Sequence, residues 1–153
     1  LIKLFYMDKL TSLESYLLEQ KDIFAMANAV VPSFSYPDLD NKACFVPSFA
    51  FIKALLETND SRIFKLLNDS IQSMRVFECA IEIGHRQYIE KYYNGVTGWI
   101  PSSSIIRLLE LGYKDIAMDF LRVFARVCFG YDEQLINYLR KHNLSDEVRE
   151  LFY

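Results

Sequence analysis

A short module recurs along this chain and limits what it can fold into: an apolar run, a Glu, a polar or glycine turn, then a second apolar run. Three copies read clearly. The first is Ala54-Leu55-Leu56-Glu57-Thr58-Asn59-Asp60, followed by Ile63 to Leu67. The second is Ala80-Ile81-Glu82-Ile83-Gly84-His85, followed by Tyr88 to Tyr92. The third is Leu108-Leu109-Glu110-Leu111-Gly112-Tyr113, followed by Ile116 to Phe120. The turn residues Asn59, Gly84, Gly112 and Asn143 follow one another at 25, 28 and 31 residues. Four residues past each turn come Leu13, Ile63, Tyr88 and Ile116. Eight past come Leu17, Leu67, Tyr92 and Phe120, with Lys9 taken as the first turn. A step of four keeps both positions on one helix face, the face to be buried. Repeated two-helix units stack into solenoids, because each unit buries its apolar side against a neighbour.

Composition narrows the functional classes. With 52% hydrophobic and 24% charged residues the protein has the makings of a folded domain, not of a disordered one. Formal charge is -3, from 17 basic and 20 acidic residues, and no run of Lys or Arg forms a stripe. Nucleic-acid binding is therefore not expected, since phosphate neutralisation supplies most of that affinity. No apolar stretch reaches the roughly 18 residues that span a bilayer. Cys44, Cys79 and Cys128 are an odd, widely spaced set, which points to a reducing compartment rather than a disulfide framework. Three Asn-x-Ser triplets, at Asn59, Asn68 and Asn143, are read as turn chemistry rather than glycosylation. Charges at Lys3 and Asp8 do not fit a signal peptide, and a sequence that opens on Leu1 rather than Met is expected to be a piece of something longer.

The pattern predicts five hairpins, over about residues 1–20, 48–68, 74–94, 102–128 and 131–152, in a single helical-repeat domain covering 1–153. In the first, Asp8-Lys9 is the expected turn. Ile23 to Val31 can form a further short helix. Residues 31–47 hold Pro32 and Pro37 and form the longest expected loop. Phe34 and Tyr36 within it are candidate exposed contacts; the alternative is that both rings fold back onto the helices. Ser48 is placed to cap the next helix, and Ser145 to cap the last. Asn94-Gly95-Val96-Thr97-Gly98 is a breaker. Asn94 and Thr97 are candidate polar contacts. Trp99, the single Trp, is either an interface anchor or a staple pinning its loop to the following hairpin.

The segments Ala80 to Lys91 and Leu109 to Ala117 resemble the middle of ankyrin repeats, where a first helix ends in Glu-x-Gly-His or Glu-x-Gly-Tyr and a second opens with an apolar pair. Ala54 to Leu67 is similar, with Asn59 in the Gly position and Asp60 in the His position. The resemblance covers about half of the sequence and is to divergent, eroded arrays. It implies an all-α, irregular ankyrin-like solenoid of stacked antiparallel hairpins. It also implies a non-catalytic protein–protein interaction module, an adaptor or targeting scaffold, in the cytoplasm, or in a host cytosol if the source is a virus or an intracellular pathogen. Under it, His85 bonds locally and fastens its hairpin.

Other chemistry is sparse. Glu82-Ile83-Gly84-His85 is not the paired-His zinc pattern. A Cys–His nucleophile pair requires His85 or His142 to meet a Cys, and no Cys has flanks that suggest it. No metal site, cofactor or catalytic residue is expected. The partner is expected to be another protein, at Phe34, Tyr36, Asn94, Thr97 and Trp99. Two alternatives stay open: a structural helical domain packing against the rest of a larger protein, and an enzyme whose site the sequence does not reveal.

Overall fold

The computed structural model describes residues 9–35, 45–95, 100–127 and 133–150. It forms ten α-helices among those residues, and no strand. They fall in two compact units, Leu1–Tyr92 and Tyr93–Tyr153, each described by itself below.

Helix starts in the first unit are written in its sequence. α1, Ser12–Leu18, opens on a capping box: Thr11 Oγ1 accepts from the Glu14 N–H while Glu14 Oε1 accepts from the Thr11 N–H. α2, Ile23–Val30, is capped by Asp22, whose carboxylate accepts from the Ala25 N–H at 3.0 Å. α3, Phe49–Glu57, is capped by Ser48, as its position predicts, through a 3.0 Å bond from the Phe51 N–H. α4, Ser61–Asp69, is capped by Asp60. Caps of this kind stabilise a helix by about 1 kcal/mol each. α5, Ser73–Ile83, and α6, Arg86–Tyr92, complete the unit.

Packing within the unit is like on like. α3 lies on α5, both first helices of their hairpins, and α2 lies on α4, both second helices. Hairpin contacts join α1 to α2, α3 to α4 and α5 to α6. α1 packs on α2, and the expected hairpin over 1–20 with its turn at Asp8-Lys9 falls largely on residues 1–8, which lie outside the described residues. Ile63, Tyr88 and Ile116 are buried as predicted, but Leu13 is 54% exposed. Leu10, just before α1, and Tyr16 within it are exposed as well.

Core residues are contributed by every helix from α2 to α6. Phe51, Ile52, Leu55, Leu56, Ile63, Phe64, Leu67, Val76 and Ile89 are fully buried. At about 1.5–3 kcal/mol for each such side chain, this burial holds the unit together. The predicted loop 31–47 starts later than expected. Val31–Ser33 continues α2 as a turn of 3-10 helix, and Pro32 is tolerated because it sits in the first positions of that turn.

In the second unit α7, Ser102–Glu110, packs on α8, Lys114–Val127, and on α9, Glu133–Lys141; α9 packs on α10, Ser145–Glu150. Here too a first helix, α7, meets the next first helix, α9. Ser145 is the first residue of α10 rather than its cap, and the helix opens with the Val148 N–H bonded to the Leu144 carbonyl. The capping box that Ser145 would need is incomplete, with Val148 where a Glu belongs.

The four turn residues singled out by the sequence share one backbone conformation. Asn59, Gly84, Gly112 and Asn143 have φ of 54°, 73°, 89° and 57°. Helices that must reverse within two or three residues end on a left-handed residue, and only Gly and Asn adopt it at little cost. Behind it the N–H of the next residue bonds back five positions: His85 to Ala80, Tyr113 to Leu108, Leu144 to Leu139, at 2.8–2.9 Å. In the α3–α4 hairpin Thr58 does this through its side chain. Its hydroxyl donates to the Leu55 carbonyl at 2.6 Å and accepts from the Asp60 N–H at 3.4 Å. A Cβ added at Gly112 meets nothing within 4 Å, so its only penalty is backbone strain. Gly112→Ala is therefore expected to cost about 1–2 kcal/mol, and Gly112→Asn less than half of that, by denaturant titration.

Candidate recognition surface

At the turn end of three hairpins, α3–α4, α5–α6 and α9–α10, a clasp reaches back to the preceding one. In α4, Arg62 forms a two-pronged pair with the Asp60 carboxylate, at 2.8 and 3.1 Å, and lays its guanidinium over the Phe24 ring of α2, 4.2 Å from the centroid. The Arg62 guanidinium holds the half-buried Asp60 carboxyl below its ordinary range. At the start of α6, the His85 ring spans two hairpins. Its Nδ1 accepts from the Tyr88 N–H at 3.2 Å, so its Nε2 carries the proton and donates to the Leu56 carbonyl at 2.9 Å and to Asn59 Oδ1 at 3.0 Å. In the second unit Lys114 of α8 pairs with Glu147 of α10 at 2.6 Å. His85 is thus both the local fastener that the sequence predicts and a tie to the previous hairpin.

The opposite end is held by longer-range contacts. Glu14 is fully buried; beyond its capping-box bond, its Oε2 accepts the Ser48 N–H at 2.7 Å. Phe34 and Phe45 form an isolated parallel bridge, with the Ser35 N–H donating to the Phe45 carbonyl at 3.1 Å. Buried Gln72 donates from its side-chain amide to the Ser35 carbonyl. The rings of Phe34, Phe45 and Phe51 pack mutually, with centroids 5.4–6.3 Å apart. Positions 35 and 45 are therefore fixed on the body of the unit.

This corrects one expected contact. Phe34 is 2% exposed, an aromatic anchor at the base of the loop and not a surface side chain. Its neighbours Phe45 and Phe51 offer more apolar contact than solvent does. Asn94 is exposed, in the single 3-10 turn Tyr93–Gly95 after α6. Tyr36, Thr97 and Trp99 lie outside the described residues, as do Cys44 and Cys128.

A surface that sequence reasoning missed lies over the α3–α5 seam. Lys53 and Glu57 of α3 and Arg75 and Glu82 of α5 all act electrostatically on Cys79, so they share one neighbourhood. Lys53, Glu57 and Glu82 are exposed, giving a row of mixed charge. Like-on-like packing of first helices, not any local motif, brings them together.

No known protein family, curated protein or solved structure matches this protein.

The described residues hold no group of three or more His, Cys, Asp and Glu placed to bind a metal ion. None of their helices is long and apolar enough to cross a membrane. Cys79 and His85 do not form a nucleophile pair. Both His85 ring nitrogens are engaged in the clasp, and Cys79 is buried with its Sγ 4.0 Å from the Phe49 carbonyl. The other imidazole, His142, stacks on Tyr138 with centroids 4.1 Å apart.

Burial pushes the Cys79 thiol up from 9.0 to about 12. At pH 8 its thiolate is about a thousandfold scarcer than for an ordinary thiol, so mass-mapped alkylation is expected to label Cys79 only as the protein unfolds. The same shift makes the fold alkali-sensitive. Below pH 9 both states hold the proton and stability is complete. Above it the unfolded state releases the proton while the folded state keeps it, so stability falls toward pH 12. The loss is about 2–3 kcal/mol by pH 11. Tyr88, also raised by burial, adds to it above its ordinary value of 10.0. Cys79→Ala is expected to remove the cysteine's share, read as a smaller drop in the denaturation midpoint between pH 8 and 11.

Proposed function

We propose that this protein is a protein-recognition module, an irregular ankyrin-like stack of helical hairpins acting as an adaptor or targeting scaffold in the cytoplasm. The observation that carries this reading is the packing of like helices, α3 on α5 and α2 on α4, behind turns of one conformation. Stacked hairpins leave a row of outward-facing first-helix residues, and such rows are how repeat arrays meet their partners. The row here is Lys53, Glu57 and Glu82. Mixed charge suits a protein partner of complementary pattern better than a polyanion. Tyr36, Asn94, Thr97 and Trp99 remain candidate contacts.

The test is quantitative affinity capture with three baits: wild type, a Lys53→Glu/Glu57→Lys charge swap, and Tyr36→Ala. A partner retained by wild type and lost by at least one variant of unchanged thermal stability supports the reading. Identical capture profiles for all three overturn the assigned surface.

A second reading, a structural domain seated against another part of a larger protein, is favoured by one observation. Leu10, just before α1, and Leu13 and Tyr16 within it are 42%, 54% and 61% exposed. Leu13→Arg is neutral for the isolated protein on either reading, within about 0.5 kcal/mol. Only under the second does it weaken a larger assembly.

A further inference from the structure

We infer that Asn94 is a site of spontaneous backbone-assisted deamidation, a slow covalent change built into the connection after α6. The inference stands apart from the recognition reading.

Asn94-Gly95 is the one Asn-Gly pair in the sequence. Asn94 is exposed, so water reaches its side chain. The pair ends a lone turn of 3-10 helix, Tyr93–Gly95, and is not inside an α-helix. Bonds of such a short terminal turn open at small free-energy cost, and a glycine on the far side imposes no Cβ on the rearranged backbone.

In the opened turn the Gly95 amide nitrogen attacks the Asn94 Cγ carbonyl carbon. A new C–N bond closes a five-membered imide, the bond from Cγ to Nδ2 breaks, and ammonia leaves with the proton lost from the Gly95 nitrogen. Water then adds to either imide carbonyl and reopens the ring. The products are aspartate, with the backbone unchanged, or isoaspartate, with the backbone routed through the former side chain. The net change is one water consumed and one ammonia released. Each event adds one negative charge to a protein of formal charge -3.

The other asparagines in turns are poorer substrates for stated reasons. Asn59 holds a left-handed backbone, its side-chain oxygen accepts from His85, and Asp60 follows it. Asn143 is also left-handed and precedes Leu144, whose N–H is bonded to the Leu139 carbonyl at 2.8 Å. In both, the nitrogen that must attack belongs to a residue with a Cβ.

The experiment incubates the purified protein in heavy-oxygen water at mildly alkaline pH and maps the peptides by mass spectrometry. The expected result is conversion of Asn94 ahead of Asn59 and Asn143, with one heavy oxygen incorporated and both aspartate and isoaspartate formed. A Gly95→Ala protein is expected to convert about tenfold more slowly, because alanine restricts the backbone that must rearrange. Since wild type alone yields the site ranking, poor folding of the variant does not spoil the test. An Asn94 amide that persists while Asn59 or Asn143 converts overturns the inference. So does an equal rate in a folded Gly95→Ala protein.

Discussion

A Phe64→Ala protein is expected to lose about 3–5 kcal/mol of stability in urea titration, a large part of what a domain of this size possesses. Phe64 is fully buried, and its ring stands edge-on to two others: His85 at 5.3 Å and Tyr88 at 5.4 Å between centroids. Both belong to the next hairpin. Truncation therefore opens a cavity at the seam between α4 and α6 and unseats the His85 ring that ties α6 to the end of α3. The coupling is measurable by itself. His85→Ala alone is expected to cost about 1–2 kcal/mol, from a lost cap and a lost carbonyl partner. The double variant should cost less than the two single losses combined, since the ring is already loosened. Strict additivity would show that the two residues act separately, contrary to the geometry.

The second large effect falls at Glu14. Its carboxylate accepts from two backbone N–H groups 37 positions apart, Thr11 and Ser48. Glu14→Ala leaves the Ser48 N–H without its partner in a buried place, and is expected to cost about 2–4 kcal/mol. Glu14→Gln is the sharper probe. An amide offers one oxygen where the carboxylate offered two, so one of the two N–H groups must face an NH2. A loss of about 1–3 kcal/mol is expected, with amide exchange faster at Thr11 or Ser48 and little changed at Ile89. A Glu14→Gln protein as stable as wild type would remove Glu14 from its role as a link between α1 and α3.

Much of the fold was legible because one physical demand recurs. A reversal of two or three residues between helices needs a left-handed residue, and Asn59, Gly84, Gly112 and Asn143 answer it locally. Ser48 was readable for a similar reason, since a cap acts within three residues. What escaped reading depends on partners far away in sequence. Phe34 looked like a loop residue; its burial depends on Phe45 and Phe51, eleven and seventeen positions on. Leu13 matched the buried register yet is exposed, because a register alone does not specify what packs against it. The same holds for the candidate surface. Glu82 neighbours the Cys79 thiol along α5 itself, but Lys53 and Glu57 join it only once α3 lies on α5.

The shortness of the left-handed reversals has a consequence for how such a protein tolerates change in length. Between α3 and α4, α5 and α6, α7 and α8, and α9 and α10 only two or three residues intervene. The links between successive hairpins run from three residues, at 70–72, to eighteen, at 31–48. One margin of each unit is therefore metrically rigid, and the drifting repeat period is taken up by other lengths, the helices among them, as in α6 with 7 residues against α8 with 14. Extra residues, affinity tags or whole inserted modules belong between hairpins rather than within these reversals. A single residue inserted beside Gly84 would instead turn every later side chain of α6 by about 100° and expose its core.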